Sequence, residues 1–220
     1  KDQSYFLWTL TQKQLKHCLF PIGDYLKSEV RKLAKKLGLP NFDKKDSQGV
    51  CFIGQLDMKE FLKKYIKPKK GDIILEKWQG STFTSEVAGQ HEGAAYYTIG
   101  QRHGLNIANG GGPYYVSEKD LKKNLVFVTK DEKKLESKEF MVSNLNWVSP
   151  EAKLIHNRGE TLKGLRIKAR YRTLAVLAKV IHSGGLASGV VATKAIRAVT
   201  PGQSVVFYRG EEMLGGGIIC

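Results

Sequence analysis

The chain has 220 residues, 41% of them apolar and 26% charged, and 36 lysines and arginines against 21 aspartates and glutamates leave a net charge of +15. That balance excludes wholesale disorder, and no apolar run approaches the ~18 residues of a membrane span. Three cysteines (Cys18, Cys51 and Cys220) with no CxxC pair exclude a disulfide framework and a cysteine-only zinc site, and fit a reducing, cytoplasmic compartment.

The first third reads as helical. Thr11 and Gln14 form a T-x-x-Q capping box that opens a short helix through Leu19, closed by Pro21 and Gly23. Val30, Leu33, Ala34 and Leu37 recur at helical spacing, and Gly38 with Pro40 stops that helix. Asp57 and Glu60 open a third helix over Phe61, Leu62 and Tyr65, ended by Pro68. From Gly71 the period changes to two. DIILE, AAYYTIG, PYYVSE and NLVFVTK read as small antiparallel strands between turn clusters. Beyond about Pro150, GLRIKARYR, LAKVIH, VVATKAIRAV, SVVFYRGEE and MLGGGIIC predict five short strands in a small, nearly closed barrel. The fold class is α+β. Lys1 in place of an initiating Met, with no signal-peptide pattern behind it, reads as a cut inside a longer protein.

The charge is uneven. Residues 1–70 hold 16 cations and 7 anions, residues 71–140 hold 9 and 10, and residues 141–220 hold 11 and 4. Two basic ends around a neutral middle point to a polyanion touched at two places, nucleic acid first. In GLRIKARYR, alternation sends Leu165, Ile167, Ala169 and Tyr171 one way and Arg166, Lys168, Arg170 and Arg172 the other. Four cations on one strand face repel each other unless a phosphate backbone neutralises them; the plainer reading is an exposed strand with a basic face.

Three further motifs invite chemistry. KKDSQGVCFIG sets Cys51 in a glycine-containing loop after Lys44 and Lys45, whose charge favours the thiolate of a nucleophile or sulfur carrier. A lone cysteine before Phe52 and Ile53 also fits a buried, inert residue. YYTIGQRHGL places Gln101, Arg102 and His103 between glycines; His103 lacks an acidic or nucleophilic partner in sequence, so the segment reads as structural. HSGGLASGVVAT imitates a pyrophosphate-binding loop, but Ala187 stands where that loop needs Asp, and strand-like segments flank it. It reads as a glycine-rich hairpin.

Taken together, KDQSYFL (1–7), LFPIGDYLKSEVRKLAKKLGL (19–39), KKDSQGVCFIG (44–54), YYTIGQRHGL (96–105), PYYV (113–116), RYR (170–172), AVTPGQSVVFY (198–208) and LGGGII (214–219) resemble, in order and spacing, the bacterial and organellar tRNA-specific 2-thiouridylases. The resemblance implies an enzyme that replaces the C2 oxygen of the wobble uridine with sulfur. It gives Cys51, in the SxGxCFIG loop, the role of catalytic persulfide intermediate. It gives tRNA contacts to Lys1, Asp2 and Gln3, to Arg170 and Tyr171, and to Gln203 of TPGQ. It implies ATP with Mg, bound by an N-terminal part that this chain lacks, and a second cysteine there; neither Cys18 nor Cys220 has the matching context. Its partners would be tRNA and a sulfur donor, a cysteine desulfurase or sulfur-relay protein; from this chain's own residues no metal site and no membrane are expected.

On this reading residues 1–55 are the C-terminal part of the catalytic domain, 56–140 a central α+β domain and 141–220 a tRNA-binding β-barrel, inactive without the ATP-binding half. The rivals are a non-catalytic RNA-binding barrel module and a simple sulfur carrier.

Overall fold

The computed structural model describes residues 4–44, 58–79, 82–107, 111–171 and 173–220. Three short helices, α1 (Gln12–Leu15), α2 (Lys27–Lys36) and α3 (Met58–Lys63), precede a four-stranded sheet of β1 (Gly71–Gln79), β2 (Thr82–His91), β3 (Tyr115–Asp120) and β4 (Leu125–Thr129). A barrel follows, built from β5 (Glu136–Trp147), β6 (Leu162–Lys168), β7 (Val176–His182), β8 (Ala187–Arg197), β9 (Ser204–Arg209) and β10 (Glu212–Ile219), with α4 (Pro150–Asn157) between β5 and β6.

The sheet runs β2-β1-β4-β3, and two sequence expectations need correcting there. The β1–β4 pair is parallel, with Ile73 opposite Val126, while its neighbours are antiparallel. AAYYTIG is not a strand: Ala94–Tyr96 is a single 3-10 turn and the rest is loop. The Asn124 side chain takes the Ala94 N–H at 3.0 Å, and Tyr97 drops into the core beside Val116 and Val126. Side-chain capture of the backbone here replaces ladder pairing.

The barrel is closed, in the order β10-β5-β8-β7-β6-β9. Its sixth strand, β5, escapes sequence reading because a register shift between Ser137 and Glu139 breaks its alternation. Leu162, Leu165, Ile167, Val180, Val190 and Phe207 fill the interior, and Trp147 stacks on Phe207 at 5.2 Å. Burying each such side chain is worth roughly 1.5–3 kcal/mol. The HSGGLASG segment is a hairpin turn, as expected: β7 and β8 pair antiparallel with His182 opposite Ser188.

Strand β9 reads SVVFY, apolar without alternation, because both its faces are covered. Val205 and Phe207 belong to the barrel core, while Val206 and Tyr208 form a second cluster with Tyr5 and Trp8. Asn146 fixes this N-terminal segment by donating from Nδ2 to the carbonyls of Trp8 at 2.6 Å and Leu10 at 3.0 Å. The Thr11–Gln14 capping box forms, but α1 stops at Leu15. Helix α2 ends before Gly38 as expected, yet its stripe stays open: Leu33 and Leu37 are exposed, as are Leu19, Phe20, Ile22 and Leu26.

Candidate nucleic-acid interface

Strand β6 delivers the first site residue. Leu165, Ile167 and Ala169 are buried and Arg166 is exposed, so the expected alternation holds that far. The strand ends at Lys168, however, and the chain turns, with the Thr173 N–H and hydroxyl both bonding the Arg170 carbonyl. Arg170 therefore leaves the basic face predicted for it. Its Nη2 donates to the carbonyls of Ala198 at 3.0 Å and Ile99 at 3.3 Å, so one guanidinium bridges the barrel and a loop of the central region. Burial, and next the Arg197 cation, hold its pKa below the ordinary arginine value. Arg170 Nε is buried without a partner among the described residues.

Tyr171 follows. Its ring packs 4.7 Å from Phe6 and 5.9 Å from Tyr5, against the cluster on the outer face of β9. It does not enter the barrel core, as strict alternation required. Its hydroxyl is buried and unpartnered among the described residues.

Gln203 closes the turn Thr200–Gln203, with Pro201 and Gly202 at the centre and its N–H on the Thr200 carbonyl at 3.2 Å. The side-chain carbonyl oxygen is again buried without a partner among the described residues. Thr98, Ile99, Gly100, Gln101, Arg170 and Gln203 line one open cleft of about 380 Å³.

The N-terminal segment meets the same region. Ser4 Oγ lies 3.2 Å from Tyr208 Oη, and Tyr5 donates its hydroxyl to the Ser204 carbonyl at 2.7 Å. Burial and the neighbouring Tyr208 raise the Tyr5 pKa, which keeps that phenol a donor at neutral pH. Lys1, Asp2, Gln3, Cys51 and Arg172 lie outside the described residues. Arg102, exposed next to Gln101, and Lys168, 5.1 Å above the Tyr208 ring, add positive charge. Arg197 is taken up by Glu132 at 3.2 Å and by the Tyr115 ring.

An unpaired N–H, hydroxyl and amide oxygen, each buried, beside several cations suit a polar anionic ligand that supplies both acceptors and donors. Sequence reading missed the Thr98–Gln101 wall. The group it contributes is a backbone carbonyl, which residue identity does not announce.

The glycine-rich turn at Ser183–Leu186 is not built as a phosphate cradle. The turn between β7 and β8 leads into a strand, so no helix N-terminus faces Gly184 and Gly185. No helix among the described residues is long and apolar enough to cross a membrane, and no group of three or more His, Cys, Asp or Glu among them could hold a metal ion. Cys18 and Cys220 are exposed free thiols.

Comparison with known proteins decides the family. Residues 1–55 match the tRNA methyl transferase HUP domain, 59–130 the tRNA methyl transferase PRC-barrel domain, and 137–219 the aminomethyltransferase beta-barrel domain. The tRNA-specific 2-thiouridylase MnmA of Bacillus licheniformis is 44% identical over 221 residues, that of Listeria monocytogenes 42% over 224, and that of Chlamydia abortus 41% over 223. The chain belongs to the tRNA-specific 2-thiouridylase family. All of it aligns, while it spans only 56–58% of the length of these family members. The curated relatives carry the name 2-thiouridylase, whereas two of the matching domain descriptions carry the words methyl transferase.

Proposed function

We propose that this chain carries the sulfur-bearing cysteine and the tRNA grip of a cytoplasmic enzyme that transfers persulfide sulfur, at the expense of ATP, to C2 of the wobble uridine of tRNA. The observation that most supports the tRNA grip is the cleft lined by Arg170 and Gln203, two residues whose Nε and Oε1 are buried without partners among the described residues, with the Tyr171 hydroxyl close by in sequence. An unmet buried polar group costs about 1–3 kcal/mol, a cost that a bound ligand removes by pairing it. Arg170 and Arg102 would meet phosphate or base acceptors, and Gln203 Oε1 would accept from a base or ribose donor. Lys1, Asp2 and Gln3, directly ahead of the anchored Ser4, extend the same contact.

In the thiolation step Cys51, as thiolate, attacks the sulfane sulfur of a donor persulfide; the donor leaves as its thiol and Cys51 keeps the outer sulfur. ATP, when bound, supplies the adenyl group that turns the base oxygen into a leaving group. The outer sulfur of the Cys51 persulfide then attacks C2, and AMP leaves with the oxygen. A second cysteine, in the part that this chain does not span, attacks Cys51 Sγ, so that the S–S bond to the transferred sulfur breaks and 2-thiouridine is released. A disulfide between the two cysteines takes up the two-electron change. The donor is a cysteine desulfurase or a sulfur-relay protein. ATP and Mg fall to the part of the 2-thiouridylases that this chain does not span. The division into residues 1–55 of the catalytic domain, a central domain over 56–140 and a tRNA-binding barrel over 141–220 accompanies this reading. Alone, the chain would not turn over.

The test is the 2-thiouridine content of tRNA made by the full-length protein. Cys51→Ser should abolish thiolation and leave tRNA binding intact. Thiolation surviving in that variant, with Cys18→Ser inactive instead, would overturn the cysteine assignment.

A further inference from the structure

The inner wall of the cleft has a steric requirement of its own. Arg170 reaches Ile99 O and Ala198 O through the same nitrogen, so the backbones of two separate sheet systems must approach closely around it. Their meeting point is Gly100 against Ala198. A Cβ placed on Gly100 would come within 2.8 Å of the Ala198 Cβ and within 3.8 Å of Arg170 Nη2. Gly100 also sits at φ +82, where any side chain is strained.

Neither partner has room to retreat. The Gly100 N–H is bonded to the Val116 carbonyl at 2.7 Å, and the Val116 N–H returns to Gln101 O at 3.0 Å. Ala198 holds its own left-handed φ of +54, donates to Leu135 O at 2.6 Å, and accepts from the Thr200 hydroxyl at 2.9 Å. A methyl group at position 100 must push the loop off the barrel.

We infer that Gly100 is a positioning residue for the Arg170 contact to tRNA: its missing side chain lets the Ile99 carbonyl clasp the guanidinium and hold Arg170 in the cleft wall. The inference rests on the proposed role of that cleft. With both Nη2 protons held, Arg170 is preorganised and loses little side-chain freedom on meeting a phosphate or base. Released from Ile99, the same charge remains nearby but is no longer held in place.

The experiment measures tRNA affinity and melting temperature in the full-length protein for Gly100→Ala, Arg170→Ala, both together, and Gly100→Ala with Ala198→Gly. Gly100→Ala should weaken binding about three- to tenfold in the parent yet add less than about twofold once Arg170 is replaced by alanine, since the two act through one contact. Ala198→Gly removes the methyl that Gly100→Ala strikes and should recover much of the loss. Equal losses in both backgrounds, or no loss in Gly100→Ala while Arg170→Ala weakens binding, would overturn the inference alone. Unchanged affinity in Arg170→Ala would overturn the cleft's proposed role as well. Should Gly100→Ala fail to fold, the combination with Ala198→Gly decides: folding and binding regained together support the contact, and continued loss refutes it.

Discussion

Tyr5 and Ser204 are 199 positions apart in the chain, and the Tyr5 hydroxyl donates to the Ser204 carbonyl at 2.7 Å. Ser204 directly follows Gln203, and the Tyr5 ring lies 5.9 Å from Tyr171. The two ends of the sequence thus meet at one edge of the barrel. The segment that follows Lys1–Gln3 is held next to the other candidate tRNA contacts by a buried aromatic cluster.

That bond should be measurable as stability. Tyr5→Phe keeps the ring among Trp8, Val206 and Tyr208 and leaves the Ser204 carbonyl without this donor. A loss of about 1 kcal/mol is expected, read as a lower denaturation midpoint with unchanged slope. An unchanged midpoint would mean that the ring alone anchors the segment.

Tyr171→Phe should behave in the opposite way. The Tyr171 hydroxyl is buried and unpartnered among the described residues, so removing it should leave the melting temperature the same or slightly higher. Binding of tRNA should nevertheless weaken about three- to tenfold if RNA pairs that hydroxyl. Equal affinities for the parent and the Tyr171→Phe variant would reduce the ring to packing.

Much of this fold was legible in the residues, and the exceptions have physical causes. The Thr11–Gln14 box and the stop at Gly38 are local chemistry, and both form. The hairpin at 183–186 was legible because Ala187 breaks the phosphate-loop pattern and strand-like runs flank it. Helix α4 was overlooked although its signals are present: Ser149 caps the Ala152 N–H and Pro150 opens the first turn. The parallel β1–β4 pairing, by contrast, depends on contacts more than 50 residues apart, and no local pattern reports it. At the site, Arg166 and Lys168 obey alternation, whereas Arg170 does not because the strand ends two residues earlier. Lys1–Gln3, named through family resemblance, and Cys51, marked by its glycine-containing loop and then by the resemblance, lie outside the described residues.

Acid should destabilise the protein partly through His156. Burial, and secondarily His182 with its Nδ1 3.4 Å from His156 Nε2, push the His156 pKa below its ordinary value; burial does the same to His91. The unfolded chain then binds more protons than the native one below about pH 6.5, so stability is unaffected above that value and falls as pH drops through it. Unfolding midpoints at about pH 7.5 and 5.5 should show a smaller acid loss for His156→Gln than for the parent. Identical acid losses would remove His156 from the account.

Sulfur loading should be specific to one thiol. After exposure to a persulfide donor, peptide mass spectrometry should find the added sulfur on the peptide containing Cys51, despite the free exposure of Cys18 and Cys220. The expected selectivity follows from Lys44 and Lys45 upstream, which favour the thiolate. Preferential loading of Cys18 would contradict it.

The most direct test of the tRNA grip is the salt dependence of tRNA binding in the parent and in Arg170→Ala. Affinity should fall steeply with salt, with a slope of roughly −0.7 to −0.9 for each phosphate neutralised. Arg170→Ala should bind more weakly and show a slope smaller by about one. A parent that binds tRNA with the same affinity and the same slope as Arg170→Ala would contradict the assignment of this cleft to tRNA.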